Sequence, residues 1–201
     1  MEIKRDIYLD KLVRKKKNGL IKVVTGVRRC GKSYLLFHLF HNHLLESGVP
    51  EDHIIEVALD DRRNKDLRDP DAMLKFIDES IKDKKDYYVI LDEVINNVDV
   101  YVTGSNSKFL SSDVITQFRG RGDEIHVYPL SFLEYISAYQ GTLDEAWDDY
   151  LVYGGLPLIL TMEIPEDKAE YLNSLFQKVY ISDIVERHNV RNKAELDELV
   201  D

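Results

Sequence analysis

The run Gly26-Val27-Arg28-Arg29-Cys30-Gly31-Lys32-Ser33 fits the spacing G-x-x-x-x-G-K-[ST], and it constrains the fold more than any other stretch of the chain. Its glycines let the backbone curl so that successive N–H groups face one concavity. Such a nest needs a strand before it and a helix after it, because the helix N-terminus adds its dipole to the anion-binding amides. Both flanks are present. Residues 20–25 are rich in β-branched side chains, and residues 33–45 set Leu35, Leu36, Leu39 and Phe40 on one helical face. Gly26 through Ser33, with Tyr34, form the expected phosphate-binding set. Lys32 is placed to reach β- and γ-phosphates, and the Ser33 hydroxyl to ligate Mg²⁺.

The surrounding pattern alternates strands and helices up to about residue 129. Residues 54–59 read as a second strand. Asp69 and Pro70 read as the N-cap and first position of a helix through residue 82. Residues 87–91 suit a strand buried on both faces, residues 98–103 a fourth strand and residues 124–127 a short fifth. From Ser131 the pattern turns helical. Ser131 and Glu134, Thr142 and Glu145, and Asn192 and Glu195 have capping-box spacing. Gly154 and Gly155 end the second of these helices, and Pro165 opens a helical stretch to about residue 188. The expected organisation is an α/β domain over 1–129, a helical lid-like segment over 130–190, and the start of a further region over 191–201.

One connection is too short. Residues 92 to about 99 join the third and fourth strands, whereas parallel neighbours need a crossover of about a dozen residues or more. Either these strands are antiparallel or crossover residues are absent from this sequence, and the parallel α/β pattern favours absence. A helix is also capped and begun just before Asp201, so the protein is expected to continue.

Composition narrows the function classes. With 201 residues, 44% hydrophobic, the chain can bury a substantial core. Lys and Arg number 27 against 37 Asp and Glu, a net charge of -10, which argues against binding nucleic acid or an anionic membrane through the whole surface. The single cysteine, Cys30, excludes an internal disulfide and, with six histidines, argues against a structural zinc site. A cytoplasmic location is expected. No apolar stretch approaches the ~20 residues of a membrane helix, and the N-terminus has no signal-peptide core.

The second half of the site reads from strand ends. Tyr87-Tyr88-Val89-Ile90-Leu91-Asp92-Glu93 is an apolar run ending in two carboxylates. Beside a phosphate loop, Asp92 is placed to hold Mg²⁺ and Glu93 to polarise an attacking water. Alone, such a pair reads equally as a solvated turn. If the strand ending at Thr103 lies beside the loop strand, Ser105 or Asn106 orients that water; otherwise they cap a helix or form an Asx turn. Arg119 and Arg121, in Phe118-Arg119-Gly120-Arg121-Gly122, are candidates to stabilise developing charge, in cis or from a neighbouring subunit. The alternative is a surface loop with solvated arginines.

Together, VVTGVRRCGKSYLL, YYVILDEV, YVTGSNSKFLSS, FRGRGDE, YPLSF and YGGLP, in this order, resemble the AAA-type ATPases of prokaryotes that carry a conserved C-terminal domain of unknown function. The resemblance implies a P-loop NTPase three-layer α/β sandwich with a parallel sheet in the order 5-1-4-3-2, followed by a small helical segment. That order would bring Ser105 beside the phosphate loop. It also implies ATP and Mg²⁺ as ligands, Glu93 as the catalytic member of the acidic pair, and Ser105-Asn106 as the sensor. A helix between the acidic pair and the sensor strand belongs to the family pattern and is missing here. A winged-helix region and a larger C-terminal domain would follow, of which only residues 192–201 belong to this sequence. The expected function is Mg²⁺-dependent ATP hydrolysis coupled to conformational change. A slow-turnover nucleotide-dependent switch or scaffold is the alternative, and a P-loop small-molecule kinase a more distant one. Expected partners are ATP and ADP, further copies of the chain in a homo-oligomer, and DNA or a protein engaged through the C-terminal part; a membrane is not expected.

Weaker features accompany these. Lys11 and Arg14 through Lys17 form a basic cluster, read as a solvated helix end. Arg5 and Tyr8 are candidates to flank an adenine. His38 and His41, one turn apart, and His43 lack the companions of a metal site. Cys30, between cationic neighbours at a helix N-terminus, is expected to favour thiolate and to be alkylated with loss of nucleotide binding. Asp60 and Asp61 follow the second strand and either line the Mg²⁺ site or form a turn. Trp147, Tyr150 and Tyr153 sit at helical spacing and read as packing residues.

Overall fold

The computed structural model describes residues 3–92, 100–103 and 122–177. Its strands are β1 (Ile21–Thr25), β2 (Ile54–Ala58), β3 (Tyr88–Asp92), β4 (Val100–Thr103) and β5 (Gly122–His126). Every pairing is parallel, and the order across the sheet is β2-β3-β4-β1-β5. This is the expected 5-1-4-3-2 order read from the other edge. The pairing of Asp92 with Thr103 and Val89 with Val100 excludes the antiparallel alternative for β3 and β4. The chain between them is residues 93–99, outside the described residues.

Strand alternation builds two cores, one on each face of the sheet. Val24, Tyr88, Ile90, Tyr101 and Ile125 face helix α1 (Asp6–Arg14) and helix α2 (residues 32–46), which supplies Leu35, Leu36, Leu39, Phe40 and Leu44. Tyr101 packs on Phe40 with ring centroids 4.5 Å apart. On the opposite face, Ile21, Val23, Val57, Val89, Leu91 and Val102 meet Met73 and Ile77 of helix α3 (Pro70–Ser80). Helices therefore cover both faces, which explains why the β1 and β3 side chains are buried in runs rather than alternately.

Helix boundaries follow their caps. The Asp69 carboxylate accepts the Ala72 N–H at 3.0 Å with Pro70 in the first turn, and α3 ends at Ser80, two residues short of the expected end. Helix α2 is not uniform as expected. It begins as α-helix at Lys32–Tyr34, widens to π-helix over Leu35–Phe40 and returns to α-helix at His41–Glu46. Its apolar residues still point into the first core, so side-chain burial tolerates the wider turn.

After β5 come α4 (Phe132–Ala138), α5 (Leu143–Tyr153), a 3-10 turn (Pro157–Thr161) and α6 (Pro165–Leu175). Both expected capping boxes within the described residues form, Ser131 with Glu134 and Thr142 with Glu145. Gly154, at φ 73°, ends α5. These helices are pinned by a buried ion pair: Lys168 Nζ of α6 contacts both Asp149 oxygens of α5 at 2.6 Å, and Tyr135 of α4 donates to the same carboxylate at 2.5 Å.

Ile90, fully buried in β3, should lose about 2–5 kcal/mol of unfolding free energy on change to Ala. Asp69→Ala removes only a cap and should lose about 1 kcal/mol. Urea melts followed by circular dichroism check both values.

Candidate functional site

The phosphate loop leaves β1 under tight steric control. A Cβ on Gly26, at φ 141°, would fall 2.0 Å from the Val127 carbonyl oxygen, so only glycine fits there. Arg29 takes a left-handed conformation at φ 64° and Gly31 one at φ 97°. The Cys30 N–H closes a turn on the Val27 carbonyl at 3.4 Å, and the Leu35 N–H bonds the Gly31 carbonyl at 2.9 Å, which commits Gly31 to the first turn of α2. Just before the loop, the Thr25 hydroxyl donates to Glu124 Oε1 at 2.7 Å and lies 3.0 Å from His126 Nδ1. This clasp between β1 and β5 depends on their register, Thr25 beside His126, which no local sequence signal carries.

Lys32 is buried and donates to the Gly26 and Val27 carbonyls, both at 2.9 Å. Its ammonium thus sits over the mouth of its own loop. One residue on, the Ser33 hydroxyl donates to Asp92 Oδ2 at 2.9 Å. The start of α2 and the end of β3 therefore bring a hydroxyl and a carboxylate together beside the loop. Both are hard oxygen donors, which fits Mg²⁺. Glu93, Ser105, Asn106, Arg119 and Arg121 lie outside the described residues.

A largely apolar cleft of about 460 Å³ opens next to the loop, lined by Ile3, Leu130, Pro157 and Leu158 together with Gly31 and Tyr34. Tyr171 of α6 also lines it and lies under the Arg29 guanidinium at 5.3 Å. Sequence reasoning missed the contributions of Leu130, Pro157 and Leu158, because only the fold returns the helical segment to the loop.

One expectation is corrected. Cys30 is fully buried, and its thiol donates to the Val127 carbonyl at 3.3 Å. Burial pushes the thiol above its usual range, outweighing the opposing charges of Lys32 and Arg5, so thiolate is not favoured. Arg5 lines the cleft, whereas Tyr8 belongs to the first core. The Arg5 guanidinium stacks over the Tyr8 ring at 4.6 Å, and both residues are buried. Of the two readings for Asp61, the turn is the one found. Asp61 caps the turn after β2, accepting from the Arg63 backbone N–H and guanidinium, which holds its carboxyl down at about 2.

The other weak features read as structure. Lys15 bonds Asp123 and Lys17 bonds Asp86 at 2.5 Å, which ties the cluster to other elements, and Lys11 lies over the Tyr8 ring of its own helix. His41 pairs with Glu56 at 2.9 Å, and His38 packs on Tyr34. Among the described residues no group of three His, Cys, Asp or Glu side chains is arranged to hold a metal. Trp147 packs edge-on against Phe132, Tyr150 donates to the Leu130 carbonyl at 2.9 Å, and Tyr153 lies under Lys168.

A family described as "AAA domain" matches residues 18–97 and 95–136, which together span β1 to the start of α4. The chain belongs to the AAA domain family. This AAA domain thus has the P-loop fold of nucleotide-binding, ATPase-type proteins. The two matched segments meet at residues 95–97, within the short connection between β3 and β4. An uncharacterized protein of Haemophilus influenzae is 29% identical over 211 residues, covering 94% of this chain and 52% of its own length. An uncharacterized protein of Methanocaldococcus jannaschii is 30% identical over 222 residues, covering 96% of this chain and 47% of its own length. Both alignments are longer than the 201 residues of this chain, so each relative has residues without a counterpart here. The chain spans about half the length of these curated relatives. Among the described residues, no helix of the AAA domain is long and apolar enough to cross a membrane.

The buried Cys30 should resist iodoacetamide in the native state at neutral pH and react fully once guanidinium unfolds the chain. Rapid native labelling would contradict the burial of this thiol.

Proposed function

We propose that the protein binds ATP with Mg²⁺ and hydrolyses it to ADP and phosphate, coupling the reaction to conformational change. The observation that carries this reading is the Ser33 hydroxyl on Asp92 at 2.9 Å, beside Lys32 in a glycine-rich loop at the head of α2. In this reading the amides of residues 26–34 cradle the phosphates. Lys32 moves from its own loop carbonyls to the β- and γ-phosphate oxygens, a short shift for a flexible ammonium. Ser33 and Asp92 would hold Mg²⁺, which neutralises phosphate charge when bound. The adjoining apolar cleft takes the nucleoside.

Glu93 follows Asp92 in sequence and serves as general base. Its carboxylate accepts a proton from water as the water oxygen bonds to the γ-phosphorus and the bond to the ADP oxygen breaks. Ser105 and Asn106 orient that water. Arg119 or Arg121 stabilises the developing charge from a neighbouring copy, which makes the active form a homo-oligomer. Residues 1–129 form the ATPase domain, 130–190 the segment that moves over the nucleotide, and 191–201 the start of a C-terminal region that engages DNA or a protein. A cytoplasmic location accords with this function.

The test is Mg²⁺-dependent phosphate release by the full-length protein over a range of protein concentrations. Lys32→Ala should lose ATP binding. Glu93→Gln should retain binding and lose turnover by at least about a hundredfold. Specific activity should rise with concentration. Binding without turnover at any concentration would replace hydrolysis with a nucleotide-dependent switch, and phosphate transfer to an acceptor other than water would point to a kinase.

A further inference from the structure

Arg5 precedes α1 and lies far from the loop in sequence, yet it is 3% exposed and meets the loop directly. Its Nη1 donates to the Cys30 carbonyl at 3.2 Å, its Nη2 donates to the Tyr128 carbonyl at 2.7 Å, and its Nε faces Glu134 Oε1 at 3.1 Å as an ion pair. The two carbonyls are its hydrogen-bond acceptors, and Glu134 adds a charge contact in which neither Nε nor Oε1 completes a hydrogen bond. The choice of acceptors is informative, because one of them is a peptide carbonyl inside the phosphate-binding loop.

In a planar trans peptide the C=O and the following N–H point to opposite sides. Fixing the Cys30 carbonyl therefore fixes the direction of the Gly31 N–H. Gly31 has no Cβ and sits at φ 97°, so the peptide joining Cys30 to Gly31 has little steric resistance to flipping. The Gly31 carbonyl is already committed to the Leu35 N–H. The restraint on the other peptide comes from Arg5.

Glu134 divides its carboxylate between two tasks. Oε2 accepts from the Ser131 N–H at 2.8 Å and from its hydroxyl at 2.9 Å, closing the capping box of α4. Oε1 faces Arg5. The loop and the first helix after the sheet are thus tethered through one side chain.

We propose that Arg5 is the positioning residue of the phosphate-binding loop: it holds the Cys30 carbonyl outward, keeps the Gly31 N–H aimed at bound phosphate, and is itself anchored by Glu134 of α4. This rests on the nucleotide-binding reading above. A lysine would supply the charge without the fork that spans Cys30, Tyr128 and Glu134 at once.

The experiment is calorimetric titration of the full-length protein with MgADP, with thermal melts run alongside. Arg5→Lys should weaken ADP binding about tenfold. Glu134→Gln keeps the capping-box chemistry but removes the charge facing Nε, and should weaken binding about threefold. The double variant should bind no more weakly than Arg5→Lys alone, since both act on one tether. A merely structural Arg5 would lower the melting temperature and leave ADP affinity of the folded protein unchanged, which overturns the assignment; so do losses that multiply in the double variant. If Arg5→Lys does not fold, unchanged affinity in Glu134→Gln overturns it. A parent protein that binds no ADP overturns the nucleotide reading itself, whereas a parent that binds normally beside an unaffected variant overturns only the role of Arg5.

Discussion

β4 lies between β1 and β3, so the loop leaving β1 and the carboxylate ending β3 are held one strand apart, about 10 Å across two strand spacings. Ser33 crosses that distance because it belongs to α2, which runs back over the sheet on the first core. Phe40 against Tyr101 seats α2 above β4, the strand that makes the gap. The contact between Ser33 and Asp92 is then a consequence of sheet order and core packing. A helix displaced from Tyr101 would move Ser33 away from Asp92.

Around the loop, desolvation and hydrogen bonding outweigh simple proximity of charge. Cys30 has Lys32 and Arg5 as cationic neighbours, yet burial dominates and the thiol stays protonated. Those cations are themselves engaged with carbonyls: Lys32 with Gly26 and Val27, Arg5 with Cys30 and Tyr128. The loop is therefore shaped before any anion arrives. Such preorganisation reduces the ordering cost that a ligand would otherwise meet.

Much of the architecture was legible because local chemistry and tertiary context agree. The apolar run at Tyr88–Leu91 is buried on both faces, Asp69 caps α3, and Ser131 and Thr142 open helices with their partners three residues on. The loop motif, with its flanking strand and helix, located Lys32 and Ser33, and the strand end located Asp92. The reading that failed depended on burial, which neighbouring residues in sequence do not reveal. Charges beside Cys30 in the chain point to thiolate, while its environment is set by Val127 from across the fold. That Tyr128 and Glu134 return over Arg5 is likewise a tertiary event that its neighbours in sequence do not reveal. The cleft walls at Leu130, Pro157 and Leu158 belong to the same class. The short connection after β3 was visible as a conflict between strand direction and chain length, and the parallel pairing of β3 with β4 leaves that conflict in place.

The proposal that Lys32, Ser33 and Asp92 form one nucleotide and metal site is most directly tested by measuring ATP affinity calorimetrically in saturating Mg²⁺ and in excess chelator, for the full-length protein and for Asp92→Asn. Mg²⁺ should tighten ATP binding by the native protein, and the variant should lose most of that enhancement while retaining its metal-free affinity. An identical Mg²⁺ enhancement in the two proteins would contradict a role for Asp92 in holding the metal and, with it, the site drawn from the Ser33 contact.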